Sequence, residues 1–331
     1  MMSNRYFSSI VTIIVAVFIS FFLIRLMPGD FIHLRATEIQ QQQSLTYEAA
    51  YAIARAQYNY DPNEPIWSQF FNYAKNLIKG NMGHSIVLRI PVTQIIFQAL
   101  PWTLFLCSMA LFSSFVTGCL IGLVIAYRRR HGWLEPVVSF FAVVTQAVPD
   151  FIIAIILIVI FAVNLRWFPF RGAYNIDAVP GFNFRFISSL FYYAVLPVTS
   201  YVLATLGSWT LSMKASASMV LSEDYINVAK AKGLKEKRIL VRYLGRNAIM
   251  PMVPGLAISF AAMLSSSLFI ESLFSYPGIG YFFGFAIGNR DFTLLQGILL
   301  VSIVVIVVSN HAADWIHGVI DPRVRRTGGE Q

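Results

Sequence analysis

The chain has 331 residues, 57% of them hydrophobic and only 12% charged, with a formal net charge of +9. That mixture lies far outside a soluble globular domain and points to a membrane protein. The positive charge does not signal nucleic acid, because the basic residues gather in short stretches beside apolar runs, where membrane topology places them.

Residues 10–24 form an apolar run after a short start containing Arg5, as in a signal peptide. No small-x-small cleavage site follows, since the run leads into Arg25-Leu26-Met27-Pro28-Gly29-Asp30, so it reads as a retained first span with a cytoplasmic N-terminus. Residues 31–98 are the one long hydrophilic interval. It holds a glutamine run at Gln40 to Gln43, a helix-compatible stretch over 47–58, a turn at Asp61-Pro62-Asn63-Glu64-Pro65, and the aromatics Trp67, Phe70, Phe71 and Tyr73 of a second, partly buried helix. So many aromatics argue for a folded external cap rather than a disordered linker.

The second span covers 101–127, with Pro101 near its start, and ends at Arg128-Arg129-Arg130-His131, a cytoplasmic stop. Its Cys107 and Cys119 would sit about 18 Å apart on a continuous helix, too far to bridge. The third span, 133–163, is interrupted by Gln146, Pro149 and Asp150, where Pro149 frees a carbonyl and bends the helix. A short external segment, 164–193, leads to the fourth span, 194–219, lined by Thr199, Ser200, Thr205, Ser208, Thr210 and Ser212. The fifth, 250–273, opens with Pro251 and Pro254 and carries Ser265, Ser266, Ser267 and Glu271; the sixth covers 294–316. Short loops on the proposed cytoplasmic side carry fourteen Lys and Arg residues against four on the other, which places both termini inside.

Residues 222–246 form the basic interval between spans four and five. Ser222 reads as a cap, Glu223 and Asp224 favour the positive end of a helix, and Tyr225, Val228 and Ala229 fall at i, i+3 and i+4 on one face. Gly233 supplies a stop. Residues 234–244 restart with Ile239, Leu240, Tyr243 and Leu244 on a second apolar stripe, ringed by Lys235, Lys237, Arg238 and Arg242. On physics alone this element is equally a basic surface resting on an anionic leaflet or a handle for a protein partner.

The order of residues separates the two readings. D-Y-x-x-x-A-x-A-K-G-L from Asp224, followed by R-x-L-x-R-N-A-x-x-P ending at Pro251, resembles the cytoplasmic coupling loop of ABC importer permeases of the dipeptide, oligopeptide and nickel class. R-L-M-P-G-D at 25–30, G-N-M-G-x-S at 80–85, S-Y-P-G-I-G at 275–280 and D-P-R-V-R at 321–325 extend the similarity over nearly the whole chain. Phe31 stands where the family has Pro, and Asn81 where it has an acidic residue.

The resemblance implies an all-α polytopic membrane protein with six transmembrane helices, the type I ABC importer permease fold, and an extracytoplasmic cap after the first helix. Its parts would be 1–27, the cap 28–99, and a core 100–331 containing the coupling loop. Ala229, Ala231 and Gly233 would let the first loop helix sit in a groove of an ATPase, with Glu223, Asp224, Tyr225, Val228, Lys232 and Leu234 completing the surface. The implied partners are a second, homologous permease subunit, two ATPase subunits, an extracytoplasmic substrate-binding protein and the lipid bilayer, with no nucleic acid. No cofactor belongs to this chain; ATP and magnesium sit on the ATPases. The implied location is the inner or plasma membrane of a prokaryote, and the implied cargo a di- or oligopeptide, with oligosaccharides and nickel or other metal chelates open.

The remaining residues agree with a transport subunit that is no enzyme. No Gly-x-x-x-x-Gly-Lys phosphate loop, His-Glu-x-x-His pair or Gly-x-Ser-x-Gly elbow occurs. His311, Asp314 and His317 sweep round a helix at i, i+3 and i+6 instead of converging on a metal. Charged groups at membrane depth are costly, so Asp150 and Glu271 stand out. Gln146, Pro149, Asp150 and Glu271 are candidates for the translocation path or its gate. Asp150 divides between lining the path and holding the Pro149 bend; Glu271 suits an outer gate. The two acids also leave an intramembrane protease open, and an ATP-independent channel is the alternative of another class.

Overall fold

The structure, a computed structural model, describes residues 2–25, 31–57, 64–127 and 134–320. Among the described residues all named elements are helices. In chain order they are α1 (Met2–Arg25), α2 (Phe31–Gln43), α3 (Tyr47–Gln57), α4 (Ile66–Ile78), α5 (Val92–Tyr127), α6 (Leu134–Ala147) and α7 (Asp150–Leu157), which continues as a π-helical turn, Ile158–Asn164. Then come α8 (Phe184–Leu221), α9 (Asp224–Ala231), α10 (Glu236–Leu273), α11 (Ile279–Gly288) and α12 (Phe292–Ile320). The arginine stop at 128–130 and the motifs at 26–30 and 321–325 lie outside the described residues.

Four helices are long and apolar enough to cross a bilayer: α5, α8, α10 and the stretch Phe292–Ala312 of α12. A fifth crossing is available if the pair Glu135–Ala147 and Asp150–Asn164 is one broken span; its two arms meet at 102°. Pro149 sits at that break with φ −55° and ψ 141°, an extended conformation that ends α6 and starts α7, as its sequence position led us to expect. The N-terminal helix α1 contains the shorter apolar stretch Phe7–Phe22, so the expected count of six is not reached by length and composition among the described residues.

Two helix starts differ from expectation. Pro101 lies inside α5 rather than near its start, which falls at Val92. In apolar surroundings one lost hydrogen bond does not end a helix whose remaining backbone groups have no water to turn to. The fifth span likewise does not begin at Met250. α10 starts at Glu236 and passes Pro251 by tightening into a 3₁₀ turn, Met250–Met252. The basic second half of the 222–246 interval is therefore the leading end of a membrane helix.

The chain divides into two compact units, one of residues 1–100 with 282–304, the other of 101–281 with 305–331. In the first, α2 and α3 pack as a hairpin on buried Ile32, Ala36, Ile39, Ala50 and Ala54, where three alanines let the backbones approach closely. α4 lies on α1 through rings: Phe18 and Phe21 meet Phe70 at 5.6 and 5.4 Å, and Phe22 meets Trp67 at 5.6 Å. The loop after α4 is tied to the start of α12 by Asp291, which is fully buried. It accepts from Ser85 Oγ at 2.5 Å and Val87 N at 3.2 Å, and caps α12 by accepting from Leu294 N at 3.1 Å.

In the second unit α8 is the central helix. Asn183 caps it, accepting from Phe186 N at 2.8 Å. Gly118 of α5 and Gly207 of α8 mark its close contacts: a Cβ on Gly118 would stand 2.6 Å from Trp209 Cβ, and one on Gly207 would strike the backbone of Ala142 in α6. Lys214 of α8 pairs with Glu135 of α6 at 2.7 Å and donates to Ser139 Oγ at 3.3 Å, fastening the first arm of the broken span. Cys107 and Cys119 are free and buried.

Candidate functional site

The connector between α8 and α10 begins differently from the sequence reading. Ser222 turns back to α8, donating its hydroxyl to Met219 O at 2.6 Å, and Glu223 occupies the cap position of α9 without a side-chain cap bond. Asp224 supplies the favourable negative charge in the first turn.

α9 ends as expected at Gly233, whose φ of +68° suits glycine. Gly233 N donates to Lys230 O at 2.9 Å and Leu234 N to Ala229 O at 3.3 Å. This paired pattern closes the last turn and folds Leu234 back onto the helix.

The inner face of α9 is not the expected one. Ile226 and Ala229 are buried against Ile239 of α10, with Leu234 and Tyr243 beside them. Tyr225 and Val228, expected to share a face with Ala229, are exposed at 39% and 51%. Ala229 therefore serves the connector's own core. The outward surface consists of Glu223, Asp224, Tyr225, Val228, Ala231, Lys232 and Gly233, flanked by exposed Lys230, Lys235 and Lys237. Asn247 of α10 donates to the Tyr225 hydroxyl at 3.0 Å and holds that ring in place. The second stripe is as expected at Ile239 and Leu244, both buried.

The broken span gathers Gln146, Pro149 and Asp150 at one bend. Gln146 is exposed and donates to Ala142 O of its own helix at 3.0 Å. Asp150 is half-buried and accepts from Phe151 N at 2.8 Å, fixing the first turn of α7. Glu271 lies apart from them at the end of α10 and is completely buried. Its Oε2 accepts from Thr103 Oγ1 of α5 at 3.0 Å and from Gly280 N at 2.7 Å, while Thr103 Oγ1 accepts from Ile279 N at 2.9 Å. Gly278 lies so close that a Cβ there would overlap the Glu271 carboxylate and crowd Thr103 Oγ1. Burial, with Glu271 nearby, holds the phenol of Tyr276 in this turn above its ordinary value.

Sequence reasoning marks both Glu271 and the S-Y-P-G-I-G turn but misses Thr103, Gly278 and Gly280 as the partners of the acid. Ser85 enters the sequence pattern only as part of a motif, and Asp291 lies in none. The available signal was an acid directly before a long apolar run, a capping position. Among the described residues no three His, Cys, Asp or Glu side chains gather where they could hold a metal. The side chains of Asp314 and His317 lie outside the described residues.

Comparison with known proteins fits this geometry. A family model described as "Binding-protein-dependent transport system inner membrane component" matches residues 118–326. The chain is 29% identical over 326 residues to the oligopeptide transport system permease protein OppB of Haemophilus influenzae, covering 97% of this chain and 98% of that protein. It is 32% identical over 321 residues to the di/tripeptide transport system permease protein DppB of Pseudomonas aeruginosa, covering 93% of each. Among solved structures, a chain of the methionine ABC transporter MetNI in inward-facing conformations aligns with a TM-score of 0.54 and 15% identity, over 69% of this chain and 97% of that one, a likeness of fold.

Proposed function

Because this chain belongs to the family of binding-protein-dependent transport system inner membrane components, we propose that it is the permease subunit of an ATP-driven importer of short peptides. Peptide cargo is supported by end-to-end similarity to oligopeptide and di/tripeptide permease proteins. The partners are a second permease subunit, two ATPases that carry ATP and magnesium, and an extracytoplasmic binding protein. The chain itself lies in a prokaryotic inner or plasma membrane, with both termini and the connector in the cytoplasm and the 28–99 cap outside.

The observation that carries the reading is the connector. A surface of exposed residues between Glu223 and Gly233 rests on an inner core in which Ile226 and Ala229 of α9 pack on Ile239 of α10. α10 runs 38 residues from Glu236 to Leu273, about 57 Å at 1.5 Å per residue. A push on α9 therefore passes into one helix whose far end holds Glu271 and the 275–280 turn. ATP-driven closure of the ATPases would displace α9, and α10 would carry the displacement to the outer end of the path. The bend at Pro149, where Gln146 and Asp150 sit, gives the second place at which the path can change shape.

Reconstitution tests the proposal. Vesicles containing this chain, its partner permease and the two ATPases, supplied with binding protein and a labelled tripeptide, are expected to accumulate peptide only with hydrolysable ATP. Flux through this chain without ATPases would instead make it a facilitator. Accumulation of an oligosaccharide or a nickel chelate, with no peptide, would replace the cargo.

A further inference from the structure

The first compact unit contains a cavity of about 570 Å³ between α4, the loop over residues 80–91 and the start of α12. It is lined mainly by polar side chains, and the coupling and gating roles above use none of them. Its walls are fixed. Asp291 ties Ser85 and Val87 to the head of α12, and Gly83, at φ +82°, lies so near that head that a Cβ would stand 3.0 Å from Thr293.

Arg89, Asn81 and Gln296 bring side-chain donors to the cavity. Of the carboxylates beside it, Asp291 is held by Ser85, Val87 and Leu294, and Oε1 of Glu64 accepts from Ser68 at 2.5 Å and Asn72 at 2.9 Å. Gln296 lines the cavity, and its Nε2 is buried with no hydrogen-bond partner. A buried amide left in that state costs free energy that a bound acceptor would return. Arg89 also lines it, exposed, at a positive φ of +60° that side-chain-bearing residues seldom adopt. Asn81 spends its Oδ1 on Gly83 N at 2.9 Å, which leaves its amide nitrogen available as a further donor.

We propose that this cavity is a carboxylate site on the extracytoplasmic cap that takes the C-terminal carboxylate of a short peptide, with Arg89 supplying charge and Gln296 the buried hydrogen bond. The proposal rests on the peptide-import reading for the identity of the ligand. A guanidinium beside amide donors suits a carboxylate, which accepts several hydrogen bonds at once. The volume admits a few residues of peptide and is too small for a folded partner. A site that holds the terminal carboxylate would take short peptides whatever their side chains.

The test uses the full-length chain in its assembled complex in detergent, with trialanine and trialanine amide as probes in calorimetric titrations. The wild type is expected to bind trialanine at least about tenfold more tightly than the amide. Arg89→Gln, an exposed change, should bring trialanine down to the level of the amide, and Gln296→Leu should weaken it severalfold. Thermal unfolding of each variant, unchanged from wild type for Arg89→Gln, separates loss of the site from loss of fold.

Equal binding of acid and amide, binding indifferent to Arg89→Gln, or no binding would overturn the proposal. So would a variant that loses capture of the binding protein and not of trialanine, since the occupant would then be a protein. ATP-driven trialanine uptake by a wild-type complex with no Arg89-dependent binding would sink this site and leave the import reading standing. Arg89-dependent binding without uptake would do the reverse.

Discussion

The two ends of α10 are built on opposite plans. At one end, the connector keeps only Ile226, Ala229 and Ile239 inside and turns Tyr225, Val228 and its lysines outward. At the other, Oε2 of Glu271, Thr103, Ile279 and Gly280 are bonded to one another within a buried turn. An element meant to be gripped turns its side chains outward, whereas one meant to hold a helix end buries them against its own neighbours. The difference is measurable, because substitutions at the buried end should cost stability and those on the open face should cost coupling alone.

The largest effect is expected at Gly278. Gly278→Val would place atoms where the Glu271 carboxylate lies, overpacking the turn and stripping that acid of its hydrogen-bond donors, together at about 3–5 kcal/mol. Protein abundance in membranes and thermal unfolding in detergent should both collapse; a stable, abundant variant would show that the turn is not closely packed. Thr103→Val removes both the donor to Glu271 and the acceptor for Ile279 N, and should lower stability by about 2–4 kcal/mol on the same measurements.

The connector has its own inner layer, and Ala229→Asp tests it. A carboxylate among Ile226 and Ile239 should cost about 1–3 kcal/mol, so this variant is expected to lose local fold and coupling together. Hydrogen exchange confined to residues 222–246 would read the local loss. Gly233 differs again: a Cβ there meets nothing within 4 Å, so Gly233→Ala should cost only about 1 kcal/mol, through its positive φ. The smallest stability effect, within about 0.5 kcal/mol, is expected for Val228→Asp on the exposed face. ATP-driven uptake should nevertheless fall at least about tenfold, and unchanged uptake would dissolve the contrast between the two ends.

What the sequence made legible follows the range of each signal. Pro149 announced the break between α6 and α7, and Gly233 the end of α9, because each acts on its own backbone. Pro101 and Pro251 misled, since their surroundings outweigh the same local preference. The rotation of α9 was misjudged because Tyr225, Val228 and Ala229 form a plausible apolar stripe; which stripe faces inward depends on where α10 supplies Ile239. The Thr103 to Glu271 bond joins residues 168 apart, and no periodicity reports such a partnership. The cavity beside Arg89 was equally hidden, being assembled from α4, its following loop and the head of α12.

The central claim, that the outward face of α9 is gripped by an ATPase, is open to one direct measurement. Both native cysteines are buried, so a single cysteine at position 228 can be cross-linked selectively through a short bifunctional reagent in membranes containing the complex. The account predicts a product joining this chain to an ATPase subunit, formed from position 228 and not from a cysteine at buried position 226. A cysteine at 228 that yields no such product, or that reacts with a membrane-impermeant reagent added outside intact cells, would contradict it.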